Sequence, residues 1–152
     1  MIFIDKYETV DMPVPLDLLE QAARAALAHQ NAPADADLTL VLADDAQLHE
    51  LNRDYLGVDA PTDVLSFPSD ETDPDTGAPY LGDILISVPY AARQCVQAGN
   101  TLDAELQLLT VHGVLHLLGH DHAEPDEKAR MWQAQSEILA GLGLADVQIR
   151  DE

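Results

Sequence analysis

Closely spaced histidines are the feature of this sequence that most restricts its fold. Four of the six histidines lie within eleven positions, from His112 to His122. His112 and His116 are four residues apart, which places both imidazoles on one face of an α-helix, about one turn apart. Gly119 stands where a helix can end with a residue at positive φ, so the chain can turn back and bring His120 or His122 towards the first pair. The spacing predicts a helix, a glycine turn and a cluster of imidazoles.

This cluster suits a metal ion. The spacing His-x-x-x-His-x-x-Gly-x-x-His is typical of Zn²⁺ held by three neutral imidazoles with one coordination position open, the arrangement of catalytic zinc sites. A single histidine in an apolar helix is more often a core residue with one hydrogen bond, but three at this spacing, with a glycine at the break, favour the metal. We therefore predict one Zn²⁺ per chain, bound by His112, His116 and His122.

Two residues beside these ligands have more than one interpretation. His120 could be a ligand, a proton carrier or a surface residue, and the glycine spacing favours His122 as the third ligand. Asp121 is a candidate carboxylate for fixing the tautomer of an imidazole, and an ordinary surface aspartate at the end of a helix fits the sequence equally well.

A zinc ion in such a site makes hydrolysis the expected reaction. Three imidazole ligands lower the pKa of a zinc-bound water from about 15.7 to roughly 7, so the proposed nucleophile is this water and no side chain is assigned as catalytic. Metzincin proteases share the spacing, but they carry a glutamate directly after the first histidine as general base. Gly113 occupies that position here, which makes a metal-dependent amidase or protease the less favoured alternative.

The charge balance restricts the substrates. The chain has 28 acidic and seven basic residues and a net charge of −21. Such a surface repels nucleic acid at long range, so a phosphate substrate must be met by a local basic group or by the metal.

The sequence has no basic leader followed by an apolar run and no apolar stretch of membrane-spanning length, which predicts a cytoplasmic protein without a membrane partner. The single cysteine, Cys95, is expected in the core.

The pattern of apolar residues predicts short strands and amphipathic helices within one domain spanning residues 1–152. Three residues that can cap a helix mark predicted helix starts: Asp44, Ser87 and Thr101. Tyr55 is expected to face inward, and Met131 and Trp132 are expected to pack in the core rather than belong to the site. Strands are predicted within 2–10 and at 38–43, 64–67 and 82–87, and helices at 15–30, 44–55, 87–98, 101–117 and 125–141.

Several segments besides the histidines resemble one family. The segments are Leu-Asn at 51–52 with Tyr55, Pro-Thr-Asp-Val-Leu-Ser-Phe-Pro at 61–68, Gly-Asp-Ile at 82–84 with Ile-Ser at 86–87, and His-Gly-Val-Leu-His-Leu-Leu-Gly-His-Asp-His at 112–122. Together they resemble the YbeY family, bacterial metal-dependent endoribonucleases. The resemblance implies a compact α+β domain, with a mixed sheet of about four short strands packed by about five helices, and the three zinc ligands named above.

The resemblance also implies a function. It predicts a zinc-dependent single-strand endoribonuclease involved in ribosomal RNA maturation and ribosome quality control, with ribosomal RNA and ribosome-associated proteins as partners and no dinucleotide cofactor. The family commonly has an arginine where this chain has Leu56 and a basic residue where it has Val58. Arg53 lies one helical turn before Leu56 and is a candidate for contacting RNA in place of that arginine, although the sequence favours its interpretation as an ordinary surface charge. The alternative is a ribosome-assembly or interaction protein whose zinc is largely structural.

Overall fold

The computed structural model describes residues 1–147. The chain alternates strands and helices, and its four strands form one mixed sheet in the order β1-β2-β4-β3. β1 and β4 both run parallel to β2, whereas β3 is antiparallel to β4. The bounds are β1 Ile2–Lys6, α1 Leu16–His29, β2 Asp37–Ala43, α2 Asp45–Leu56, β3 Val64–Pro68, β4 Tyr80–Ser87, α3 Val88–Ala98, α4 Leu102–Leu117 and α5 Pro125–Gly141. The predicted α+β class, strand number and helix number are confirmed.

The two faces of the sheet bury different side chains because successive residues of a strand point to opposite faces. Ile84 and Ile86 of β4 face the larger core, in which α1, α4 and α5 pack. Leu85, between them, faces a smaller cluster that includes Leu48 of α2. Helix α4 is buried nearly all round, with twelve buried residues of sixteen, as expected for a central helix.

Local hydrogen bonds explain where the helices begin. The side chains of Asp44, Ser87 and Thr101 accept the backbone N–H three residues ahead at the start of α2, α3 and α4. Such a cap satisfies one of the N–H groups that the first helical turn leaves without a partner. All three predicted caps are confirmed.

Two sequence predictions need correction. β1 ends at Lys6 rather than near Val10, because residues 7–10 form a turn in which Val10 N donates to Tyr7 O at 3.0 Å. Tyr55 is 70% exposed rather than buried, and only the edge of its ring meets Phe67, at 5.7 Å between ring centroids. Within residues 1–147, no helix has the length and apolar character needed to cross a bilayer.

Candidate metal centre

The last two turns of α4 carry the first two histidines of the cluster. His112 and His116 are the partly buried residues in a stretch that is otherwise mostly buried, so their face of the helix opens to a cleft. Gly119 has φ +99°, a conformation that favours glycine, and His120 N donates to Leu115 O at 2.9 Å to close the helix. The predicted glycine turn is therefore present, and it directs His122 back towards α4.

The structure brings the imidazoles of His112, His116 and His122 together. One ring nitrogen from each lies within 4.8 Å of the other two. His112 Nε2 and His116 Nε2 are 3.0 Å apart, and the ring of His122 lies 5.8 Å and 5.3 Å from those of His112 and His116. Two nitrogens bound to one tetrahedral Zn²⁺ at about 2.0–2.1 Å would be separated by roughly 3.3 Å. This three-histidine group can therefore hold a metal ion.

A buried glutamine sets the tautomer of His112. Gln135 of α5 is fully buried, and its Oε1 lies 2.9 Å from His112 Nδ1. A carbonyl oxygen only accepts, so Nδ1 carries the proton and Nε2 keeps the lone pair that a metal requires. Gln135 was not predicted from the sequence, in which its one signal is its position as a polar residue on the apolar face of α5, between Met131 and Ile138.

The surroundings of His116 favour its neutral form. Burial is the largest cause that lowers the pKa of His116 below its ordinary value, and the neighbouring His122 lowers it further. A hydrogen bond to the backbone of His120 acts in the opposite direction. Neutral imidazole is the form that binds a metal, so the balance of these effects favours binding.

Trp132 packs against the core as predicted, and its ring also lies next to two histidines of the cluster. Its ring lies edge-on to His112 at 6.1 Å and to His122 at 5.7 Å between centroids. The same ring also packs against the larger core. Met131, by contrast, is fully buried as predicted. Trp132 thus limits the movement of two of the three imidazoles.

The three histidines open into a cleft of about 500 Å³ between the end of α4 and β3. Polar side chains from the segment before β3 and from β3 itself form the opposite wall: Thr62, Asp63 and Ser66. Leu56, at the end of α2, also lines the cleft and is 60% exposed. An apolar side chain therefore lies in the same cleft as the histidines, at the position where the family resemblance predicts an arginine.

The remaining predicted site residues lie at different distances from the cluster. His120 lines the cleft, and its Nε2 donates to Gln30 Oε1 at 2.7 Å. Asp121 also lines the cleft, and its Oδ1 accepts the backbone N–H of His122 at 2.7 Å. Arg53 Nε lies 3.0 Å from Asp54 Oδ1 on the exposed side of α2.

Gly113 has a packing role that its position between the ligands does not reveal. A Cβ at residue 113 would lie 2.6 Å from Cγ2 of the buried Ile84. Helix α4 therefore lies close to the sheet at Gly113, and a glutamate could not be placed there unless the side chain of Ile84 moved.

Comparisons with known proteins agree with this arrangement. The sequence model of the family Endoribonuclease YbeY matches residues 4–143. The Endoribonuclease YbeY of Moorella thermoacetica is 48% identical over 147 residues, covering 90% of this chain and 94% of that protein. That of Geobacillus thermodenitrificans is 42% identical over 149 residues, covering 93% and 95%.

A solved structure supports the fold. The solution structure of a Thermotoga maritima protein is 22% identical and has a TM-score of 0.59, covering 100% of this chain and 99% of that one. With a family match over most of its length and relatives above 40% identity, this chain belongs to the Endoribonuclease YbeY family.

Proposed function

We propose that this protein is a zinc-dependent endoribonuclease that cuts single-stranded ribosomal RNA during its maturation and in ribosome quality control. Family membership supports the endoribonuclease activity. The single observation that carries the metal dependence is the convergence of three imidazole nitrogens within 4.8 Å at the base of a cleft. The reaction is the cleavage of an RNA phosphodiester bond.

The donor set and the open cleft favour a catalytic over a structural zinc ion. His112, His116 and His122 supply three ligands, whereas structural zinc sites are closed by four. When bound, Zn²⁺ would supply an acidified water and polarise a phosphoryl oxygen. The cleft leaves room on the open side for a phosphate group, which a structural site does not need. The alternative of an assembly protein with structural zinc is therefore the weaker one.

The protein's own residues would orient the reacting groups. Gln135 holds the Nδ1 proton of His112, so that Nε2 points to the neighbouring Nε2 of His116. Thr62 and Ser66 also line the cleft, and their hydroxyls make long hydrogen bonds to Asp63 Oδ1 at 3.4 Å and to Gly113 O at 3.5 Å. Each hydroxyl would have to rotate away from that acceptor in order to donate to a phosphate or ribose oxygen. Asp121 accepts the backbone N–H of His122 and thereby fixes the backbone that carries this ligand. His120 lies in the same cleft but outside the ligand set, and it would carry a proton. These roles are proposals.

The experiment is a cleavage assay on single-stranded ribosomal RNA with the wild-type protein and His116→Ala, each with and without a chelator. We expect the chelator and the substitution each to abolish cleavage, and added Zn²⁺ to restore only the wild type. Equal residual cleavage by His116→Ala would contradict the proposal, since it would indicate a contaminating nuclease. Metal analysis of the same preparation tests the choice of zinc.

The product ends distinguish two routes. Ends bearing 2′,3′-cyclic phosphate indicate attack by the neighbouring 2′-hydroxyl, whereas direct attack by water leaves no cyclic product. Arg53 remains a prediction for RNA contact, and Arg53→Ala tests it in the same assay. Unchanged binding and cleavage by Arg53→Ala would remove it from the substrate site.

A further inference from the structure

A second cleft adjoins the metal cleft. It has a volume of about 430 Å³ and shares with the metal cleft the wall formed by Gly119, His120 and Asp121. Its other side is formed by Leu118, Glu127 and Arg130. A polymer that reaches the histidines can therefore extend over the shared wall into this second space.

Arg130 is distinguished from the other basic residues by its lack of a partner. Three arginines are paired with carboxylates, namely Arg24 with Glu20, Arg53 with Asp54 and Arg93 with Asp45. The two lysines are also engaged, Lys6 with a backbone carbonyl and Lys128 with the ring of Trp132. Within residues 1–147, Arg130 forms neither a hydrogen bond nor an ion pair.

This lack of a partner is unexpected on a chain with 28 acidic residues. Glu127 lies one helical turn before Arg130 on α5, close enough in sequence for an ion pair that is not formed. The guanidinium is exposed and lines the second cleft, so its donors are available to a ligand. A guanidinium binds phosphate with two parallel hydrogen bonds. Phosphate is the group that an RNA strand in the cleft of a nuclease would present.

We propose that Arg130 binds a backbone phosphate of the RNA strand next to the phosphate that lies at the three histidines. This inference rests on the proposed function and adds to it a residue that positions the substrate. The strand would cross the shared wall at Gly119, which has no side chain and where an added Cβ would meet no atom within 4 Å. Arg130 thus holds the strand in register without touching the reacting atoms.

The carboxylates of the second cleft limit how strongly this cleft can bind RNA. With histidines neutral, the lining side chains carry the charges of Arg130, Asp121 and Glu127, so removing Arg130 leaves only anionic groups. Asp121 accepts the backbone N–H of His122 but keeps its charge, so Asp121 and Glu127 both oppose an incoming phosphate. Arg130 and Glu127 should therefore affect RNA binding in opposite directions.

The test measures binding of a short single-stranded 2′-O-methyl oligoribonucleotide to the zinc-loaded protein over a series of KCl concentrations. We expect Arg130→Gln to weaken binding roughly three- to tenfold at low salt. Loss of the Arg130 charge should also make the negative slope of log K against log salt shallower by about 0.7, the value for one phosphate contact with a single strand. Arg130→Lys should keep the slope and regain part of the affinity, because it keeps the charge and loses the paired donors.

Two further variants serve as controls. Glu127→Gln should tighten binding, since it removes an opposing charge from the same cleft. Arg24→Gln changes the net charge as Arg130→Gln does, but Arg24 lies on α1, paired with Glu20 and outside both clefts, so it should leave the affinity unchanged. In cleavage of ribosomal RNA, Arg130→Gln should raise KM and leave kcat unchanged, as expected for a residue that does not touch the reacting atoms.

The outcomes separate this inference from the proposed function. A wild-type protein that binds and cuts RNA, with Arg130→Gln showing the same affinity and salt slope, would overturn the role of Arg130 alone. An equal loss in Arg24→Gln would overturn it as well, since the effect would then be one of net charge. A wild-type protein that neither binds nor cuts RNA would overturn the proposed function itself.

Discussion

Replacing Gln135 by methionine tests the link between α5 and the metal centre. Methionine has nearly the same length and shape as glutamine but offers His112 Nδ1 no comparable acceptor. The structure places Gln135 Oε1 2.9 Å from that nitrogen in a fully buried position. In the variant, His112 can no longer be held with its proton on Nδ1, so Nε2 loses part of its availability as a ligand.

The expected changes in zinc affinity and in folding free energy follow from the two polar atoms of the Gln135 amide, Oε1 and Nε2. Loss of an acceptor that orients a metal-binding histidine typically lowers metal affinity by about 10- to 100-fold, which corresponds to about 1.4–2.7 kcal/mol. Leaving the imidazole N–H buried without a partner costs about 1–3 kcal/mol of folding free energy. Gln135 Nε2 is itself buried without a hydrogen-bond partner among the residues described, so removing it offsets much of that cost. The metal-free protein should therefore change little in stability.

The assay is competition for Zn²⁺ against a chromophoric chelator, with thermal unfolding of the metal-free protein as the companion measurement. Gln107→Met is the matched control, because Gln107 is also buried, on α4, but donates to the backbone of Asp103 instead of contacting a histidine. Gln135→Glu keeps an acceptor and should keep the affinity. Unchanged zinc affinity in Gln135→Met, or an equal loss in Gln107→Met, would refute the reasoning.

Three other predictions follow from packing, titration and cleft chemistry. Gly113→Ala should destabilise the protein by about 1–3 kcal/mol in urea unfolding, because its Cβ would lie 2.6 Å from Ile84 Cγ2, and Ile84→Ala should relieve part of this loss. Burial and then the hydrogen bond to Asp83 raise the pKa of Tyr80 to about 12, so phenolate absorbance should show one late step that Tyr80→Phe removes. Since an unfolded tyrosine titrates near about 10, the stability from the protonated Tyr80 should be complete below that pH and decline as pH rises towards about 12. Leu56→Arg should strengthen RNA binding with an added salt slope of about 0.7, and an unchanged affinity would mean that position 56 does not meet the strand.

The features that the sequence predicted correctly are governed by near neighbours in the chain. Ser87 and Thr101 cap their helices through the backbone N–H three residues ahead, so a short stretch of sequence contains both partners. The pairing of His112 with His116 depends only on the helical repeat, and the turn at Gly119 on the absence of a side chain. These interactions need no knowledge of how the helices pack.

The features that were missed depend on contacts between elements distant in sequence. Gln135 is 23 positions from the histidine it orients, and nothing in the spacing of α5 indicates which polar residue on its apolar face will meet α4. Tyr55 lies near the end of α2, is 70% exposed and meets the ring of Phe67 in a T-shaped contact, so the helical pattern alone wrongly assigns it to the core. In the sequence, Gly113 was notable only because it stands where metzincin proteases have their general-base glutamate. The structure gives it a packing role, because it lies against Ile84 of β4.

Helix α5 connects the metal centre with the proposed phosphate site. Its buried residues Met131, Ile138 and Leu139 fix it in the core beside α4. From that fixed position, Gln135 orients a metal ligand and Arg130 faces the neighbouring cleft. At physiological ionic strength the Debye length is about 8 Å, so the distant carboxylates are largely screened from a strand that has already reached the histidines. A strongly acidic nuclease can then bind RNA through the metal and one unpaired guanidinium, since contact charges rather than net charge determine the bound state, while the net charge slows the encounter.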